Sequence, residues 1–253
     1  MKWILVPLVL VWRVWFYLGI AMAILILYPF IFVTSLKAEW YPKFFVFARV
    51  WAWMVLLWSG LWPKVYWDEK PDKNKVYIIC ANHTSMIDIM MTLALFSNCF
   101  LFIGKKELTK FPLFGYFYRK TNLLVDRSSL RSRRDVFDRA GVKVDEGISV
   151  CIYPEGGVPK YEVDLAPFKN GAFRLAVEKN VPVIPVVYLD NKRHLPFDFF
   201  KGHPGVCRAV VRPFLSARDT NDDSEVDRLR EECYQVIHDT LTGSQKHSMV
   251  LNS

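Results

Sequence analysis

Two hydrophobic patterns divide the chain. From residue 14 to residue 36 no charge interrupts twenty-three mostly apolar positions. As a helix this run measures about 34 Å, enough for a hydrocarbon core of about 30 Å. Pro29 predicts a kink in it. A second apolar run, 44–62, is broken only by Arg49, whose long stem lets its charge snorkel from near one end. The link between the runs carries Lys37, Glu39 and Lys43. Trp51, Trp58 and Trp62 recur at helical spacing on one face of the second run, a pattern more typical of a helix lying at a membrane interface. Hydropathy measures apolar length and not depth, so a bilayer-crossing hairpin and a hairpin sunk into one leaflet both fit. Ala21-Met22-Ala23 has the small-x-small form of a signal cleavage site. The apolar run continues past it to Val33, however, and Arg13 splits the region before it, so an uncleaved anchor is expected.

After Pro63 the pattern becomes short apolar strands alternating with helical stretches. Strands are predicted at 75–80, 100–104, 121–126, 148–153, 182–189 and 206–212. Helices are predicted at 86–97, 107–119, 131–145, 171–179 and 224–241. This alternation predicts an α/β fold, a mixed and largely parallel sheet flanked by helices. The expected organisation is a two-helix membrane segment over 1–63, an α/β domain over 64–242, and a frayed tail over 243–253.

Charge narrows the partners. The net charge is +8, and all nine tryptophans lie at or before Trp67. A basic chain suits nucleic acid, an anionic membrane or an acidic substrate. No nucleic-acid motif is present, so with an apolar N-terminus the expected partner is membrane phospholipid and not nucleic acid. The cysteines Cys80, Cys99, Cys151, Cys207 and Cys233 show no metal-ligand spacing. They point to reduced thiols and a catalytic domain on the cytoplasmic face of a membrane, with the cell's inner membrane the expected one.

The chemistry concentrates after three predicted strands. His83 follows 75–80, Arg127 follows 121–126, and Glu155 follows 148–153. If these strands are parallel, all three reach one sheet edge, where α/β folds bind ligands. His83 and Asp88 are five apart, the wrong spacing for one helix face. They meet if His83 lies in the loop and Asp88 in the first turn of the next helix, with Thr84 or Ser85 as cap. The competing reading of Ser85-x-x-Asp88 is a capping box and nothing more.

His83-x-x-x-x-Asp88 resembles the catalytic block of the glycerolipid acyltransferases, which include lysophosphatidic acid acyltransferases. Three further blocks agree in order. Gly104-Lys105-Lys106-Glu107 through Gly115, with Val125-Asp126-Arg127, resembles the second. Tyr153-Pro154-Glu155-Gly156 resembles the third, and Val181-Pro182-Val183-Ile184-Pro185-Val186 the fourth. The resemblance covers about residues 75–190 and implies the glycerol-phosphate acyltransferase-like fold. It implies that His83 is the general base and that Asp88 orients it. A fatty acyl group would pass from acyl-CoA or acyl-carrier protein to the sn-2 hydroxyl of lysophosphatidic acid. It implies no cofactor beyond that thioester co-substrate, and no metal, because a thioester is already activated.

An anionic acceptor needs cations. Arg127 suits bidentate phosphate binding and Lys105 a second charge. Glu155 is expected to bind an acceptor hydroxyl or to order its loop, while Gly156 and Gly157 permit close backbone approach. Lys106 and Lys169 are weaker candidates, and Arg131, Arg133 and Arg134 suit a solvated helix face. The family's third block commonly continues Glu-Gly-Thr-Arg or Glu-Gly-Thr-Ser. Here Gly157 and Val158 replace the hydroxyl and the following residue, which puts the head group in question more than the chemistry. Acylation of another lysolipid (a lysophospholipid or a lyso-aminolipid) therefore stands beside the leading reading; a non-catalytic lipid-binding role on the same fold is a further alternative that the intact His83 and Asp88 oppose, and a hydrolase gives no reason for four such blocks in order. Phe111 to Tyr116 reads as core.

Overall fold

A computed structural model describes residues 2–110, 114–220 and 222–251. Two helices open the chain, α1 (Lys2–Thr34) and α2 (Tyr41–Trp58). Seven strands follow: β1 (Leu61–Trp67), β2 (Ile78–Ala81), β3 (Phe100–Lys105), β4 (Leu123–Val125), β5 (Ser149–Ile152), β6 (Val183–Tyr188) and β7 (Gly205–Val211). Between and after them run α3 (Ile87–Leu95), α4 (Phe114–Thr121), α5 (Leu130–Asp145), α6 (Gly171–Glu178), the short α7 (Asn191–His194) and α8 (Ser224–Leu251). The sheet order is β1-β7-β6-β2-β5-β3-β4. Every neighbouring pair is parallel except β6 with β7, so the sheet is mixed and largely parallel.

Side-chain alternation along the central strands builds two cores. Ile79 and Ala81 of β2 face α1, α2 and α3, while Ile78 and Cys80 face α5, α6 and α8. All four are fully buried, as expected for a parallel strand covered on both sides. The predicted strands after Pro63 all form, within three residues at each end. The predicted helix 107–119 is instead a 3₁₀ turn over Lys106–Lys110 followed by α4, and Phe111–Leu113 lie outside the described residues. The backbone of α8 continues to Leu251, through the stretch expected to fray.

β1 departs from expectation. Residues 61 and 62 were assigned to the second apolar run, yet Leu61–Trp67 is an edge strand paired with β7. Burial alternates along it, with Leu61 inward and Trp62, Lys64 and Tyr66 outward. Its outward aromatics hide the alternation in the sequence, and Pro63 is tolerated because the strand has an open edge.

The N-terminal hairpin packs as part of this body. Phe16 and Ala23 of α1, and Phe45, Ala52, Val55 and Leu56 of α2, belong to the core that also holds β2 and α3. Trp15 and Trp58 stack at 4.4 Å, and each indole donates to the other's backbone carbonyl. Gly19 lets the Trp58 ring lie against α1, since a Cβ there would fall 2.4 Å from Trp58 Cδ1. Arg49 does not reach outward. Its guanidinium donates to the carbonyls of Leu93 and Ala94, at the C-terminal end of α3 where a cation is favoured. Arg13 is 2% exposed and donates to the carbonyls of Pro196, Asp198 and Lys201.

Candidate active site

The carboxyl ends of β2, β3, β4 and β5 share one edge, because all four strands run parallel. β2 ends at Ala81, and Asn82 ties its exit to β6. The Asn82 amide donates to Tyr188 O and accepts from Tyr188 N–H. His83 follows in the loop, and α3 begins at Ile87, which puts Asp88 in its first turn.

Asp88 is fully buried. Its Oδ2 accepts from Thr84 N–H at 2.6 Å and Ser85 N–H at 2.9 Å, and lies 2.9 Å from His83 Nδ1. A carboxylate only accepts, so His83 Nδ1 carries the proton and Nε2 keeps its lone pair. That tautomer is the one a base needs. Ser85 Oγ accepts from Ile87 N–H at 3.2 Å. Asp88 Oδ2 makes one half of the capping box, on Ser85 N–H, while it also holds His83; the other half is absent, because Ser85 Oγ takes Ile87 N–H and the N-cap residue is Met86, not the expected Thr84 or Ser85. Ser85 also donates to Leu195 O at 2.7 Å, and among the described residues no base partners its hydroxyl.

Two residues that sequence reading passed over complete the pair. Asn191, 0% exposed, donates from Nδ2 to Asp88 Oδ1 at 2.8 Å, so both carboxylate oxygens are held. Tyr153 stacks its ring on the His83 imidazole at 4.1 Å and 18°. Its hydroxyl meets Thr92 Oγ1, which donates to Asp88 O. Tyr153 was quoted only as part of a block, and Asn191, 103 residues from Asp88, gives no local signal.

Glu155 follows β5 and is 7% exposed. Oε1 accepts from the His83 backbone N–H at 2.7 Å and Oε2 from Ala166 N–H at 2.9 Å. The carboxylate thus ties the β5 loop to the His83 loop, which favours the loop-ordering reading. Burial pushes its pKa up to about 7, against the opposing pull of the Ala166 and His83 N–H groups. The folded value lies above the ordinary 4.5, so the folded state holds the proton more tightly. Stability from this group is therefore greatest at low pH and declines as pH rises through about 7. The expected loss is at most about 3 kcal/mol. The Glu155→Gln variant lacks this titration. Thermal unfolding at pH 5 and pH 8 should show wild type losing more stability than the variant, and parallel losses would refute the assignment.

Tyr153 to Gly156 is a turn closed by Gly156 N–H to Tyr153 O, with Gly156 at φ +76°. The Lys169 side chain crosses Gly156, 2.5 Å from where a Cβ would stand. Arg127, at the exit of β4, leans over the same turn, with Nη1 3.2 Å from the Cβ position of Gly157. Arg127, Gly156, Gly157 and Lys169 therefore gather at one place. Lys105 ends β3 opposite Val125 of β4, half-exposed and 3.7 Å from Glu107. Among the described residues no cluster of His, Cys, Asp and Glu has metal-binding geometry.

A base oriented by a carboxylate, beside a cationic glycine turn at a parallel sheet edge, defines an acyl- or phosphoryl-handling site on an α/β fold. Comparison with known proteins narrows this. Residues 63–189 match the acyltransferase family, and the chain belongs to that family. It is 30% identical over 225 residues to the 1-acyl-sn-glycerol-3-phosphate acyltransferase of Saccharomyces cerevisiae, covering 82% of this chain and 72% of that one. It is 29% identical over 185 residues to a putative 1-acyl-sn-glycerol-3-phosphate acyltransferase of Caenorhabditis elegans, covering 71% of this chain and 64% of that one. The chain thus spans a little under two thirds of the worm relative's length. The crystal structure of the 1-acyl-sn-glycerophosphate (LPA) acyltransferase PlsC from Thermotoga maritima shares the fold. Its TM-score is 0.76 at 22% identity, over 97% of this chain and 98% of that one.

Proposed function

We propose that this acyltransferase moves a fatty acyl group from acyl-CoA or acyl-carrier protein to the sn-2 hydroxyl of lysophosphatidic acid, giving phosphatidic acid. The observation that carries it is the His83 Nδ1–Asp88 Oδ2 contact of 2.9 Å, which leaves Nε2 free at the edge where Arg127 overhangs Gly157. In this reading Nε2 takes the acceptor hydroxyl's proton as the oxygen attacks the thioester carbonyl. Asp88 stabilises the imidazolium, which then returns the proton to the departing thiolate. The C–O ester bond forms, the C–S bond breaks, and the thiol leaves. Arg127 and Lys105 hold the acceptor phosphate, and the Gly156–Gly157 backbone lets it approach.

A second lysolipid acceptor is favoured by one observation. Val158 stands where the family often places a cation, and it lines a small cavity with Thr84, Pro159, Tyr161, Lys192, Pro196, Phe197 and Asp198. A panel of lysolipids offered to the purified protein with labelled acyl-CoA or acyl-carrier protein tests both. Transfer to lysophosphatidic acid supports the first reading, and transfer only to a phosphate-free lysolipid replaces it with the second.

We place the enzyme on the cytoplasmic face of a membrane with its hairpin in one leaflet. Val6–Thr34 is long and apolar enough to cross, at mean hydropathy 2.4. Yet α1 touches the α/β domain near both ends: Arg13 at 196–201, and Tyr28 and Phe32 at Phe117 and Tyr116. These contacts are roughly 28 Å apart along the helix. A helix with one end across the bilayer cannot meet the same domain at the other.

A further inference from the structure

The loop after α7 holds three exposed phenylalanines, of which Phe199 and Phe200 have no part in the proposed chemistry. Phe197, Phe199 and Phe200 are 60%, 53% and 63% exposed within four residues of sequence. A loop free to fold in water would turn such rings inward. Here the backbone is pinned so that they stay out. Arg13 binds the carbonyls of Pro196, Asp198 and Lys201 from α1, and its guanidinium lies 4.9 Å from the centre of the Phe199 ring. Phe199 stacks on Tyr17 of α1. Behind the loop, Ser85 holds Leu195 O, and α7 contributes Asn191 to Asp88.

α1 also carries an exposed apolar surface of its own. Leu8, Val11, Trp15, Leu18 and Met22 form an exposed stripe along α1, three and four residues apart. Exposed Trp58 ends α2, and on the edge of the sheet exposed Trp62 of β1 pairs with exposed Val206 of β7. Exposed aromatic side chains beside an apolar helix are what a membrane interface selects. Basic residues fringe the loop: Arg193, with Lys64 beside Tyr66 on β1, and Lys192 and Lys201, which are paired with Asp164 and Asp198. Their sign fits an anionic leaflet. It opposes a second copy of this chain, which would bring the same charges face to face.

We propose that Phe197, Phe199 and Phe200 insert into an anionic phospholipid leaflet beside α1, making a third membrane contact that abuts the His83–Asp88 pair. The proposal rests on the one-leaflet placement of the hairpin and not on the identity of the acceptor. Through Arg13, Leu195 and Asn191 the inserted loop is tied at once to the anchor helix and to the catalytic carboxylate. Membrane depth and site geometry are then set by one segment.

Single-cysteine labelling tests it in the full-length protein. Cys80, Cys151, Cys207 and Cys233 are buried, so Cys99→Ser gives a quiet background. A bimane label is placed by Phe200→Cys, by Val14→Cys on the exposed side of α1, or by Val142→Cys on α5 across the sheet. The proteins are reconstituted in phosphatidylcholine–phosphatidylglycerol vesicles. The Phe200 label should lose at least half its emission to lipids brominated in the acyl chain and resist aqueous iodide, as the Val14 label does. The Val142 label should show the reverse. Quenching at Val14 with a Phe200 label open to iodide overturns the loop insertion and leaves the hairpin in place. A Phe200 label protected from iodide but untouched by brominated lipid means a protein partner, and also overturns it. If neither Val14 nor Phe200 is quenched by brominated lipid, the one-leaflet placement falls and the loop insertion with it.

Discussion

His83→Ala should lower kcat by about 10²–10⁴-fold while leaving the fold intact. The loss follows from the geometry. Nε2 is the ring atom left free once Nδ1 is committed to Asp88, and alanine removes it. The fold survives because the structural contact of this residue is made by its backbone: the His83 N–H to Glu155 Oε1 is independent of the side chain. What else is lost is a partly exposed ring stacked on Tyr153. Turnover of labelled acyl-CoA with lysophosphatidic acid, set beside a thermal melt, checks both halves. A variant that melts like wild type and retains more than a tenth of its turnover would show that His83 is not the base. Asp88→Asn is expected to differ in kind. Oδ2 accepts two backbone N–H groups as well as the ring, and Oδ1 accepts from Asn191. An amide must turn N–H donors toward one of these sets, so stability falls together with rate.

What the sequence made legible was local. The short apolar run ending at Cys80 marks a strand, which the structure covers on both faces. Positions 83 to 88 become readable because capping geometry is a short-range rule. The parallel strand ends follow from alternation of strands and helices, which is why His83, Arg127 and Glu155 could be assigned to one edge. What stayed hidden was either non-local or disguised. Arg13 looked like a break in an apolar segment, and only the folded loop at 196–201 supplies the carbonyls that let its charge be buried. Arg49 looked like a snorkelling residue, because the end of α3 that it caps lies 44 residues away. Glu155 gave two readings that only its partners separate.

Asn191 gives the second large effect. In the folded protein its Nδ2 is the sole side-chain donor recorded on Asp88 Oδ1 among the described residues. Asn191→Ala leaves that oxygen buried without a partner, which costs about 1–3 kcal/mol or more for a charged group. Since 1.36 kcal/mol is tenfold, kcat should fall by about 10- to 100-fold if the cost appears when the imidazolium forms. Asn191→Asp separates this positioning role from simple packing. The new carboxyl is buried 2.8 Å from Asp88, and two such groups cannot both ionise there. Its pKa is raised, so on the acid side it is protonated and its O–H donates to Oδ1 as the amide did. As pH rises through that raised value the proton is lost, two negative charges face each other, and the pair no longer holds the ring. The variant should therefore approach wild-type rate at the acid end of the profile and fall away at alkaline pH, where wild type keeps its activity. A rate that is depressed equally at every pH would mean that residue 191 only fills space.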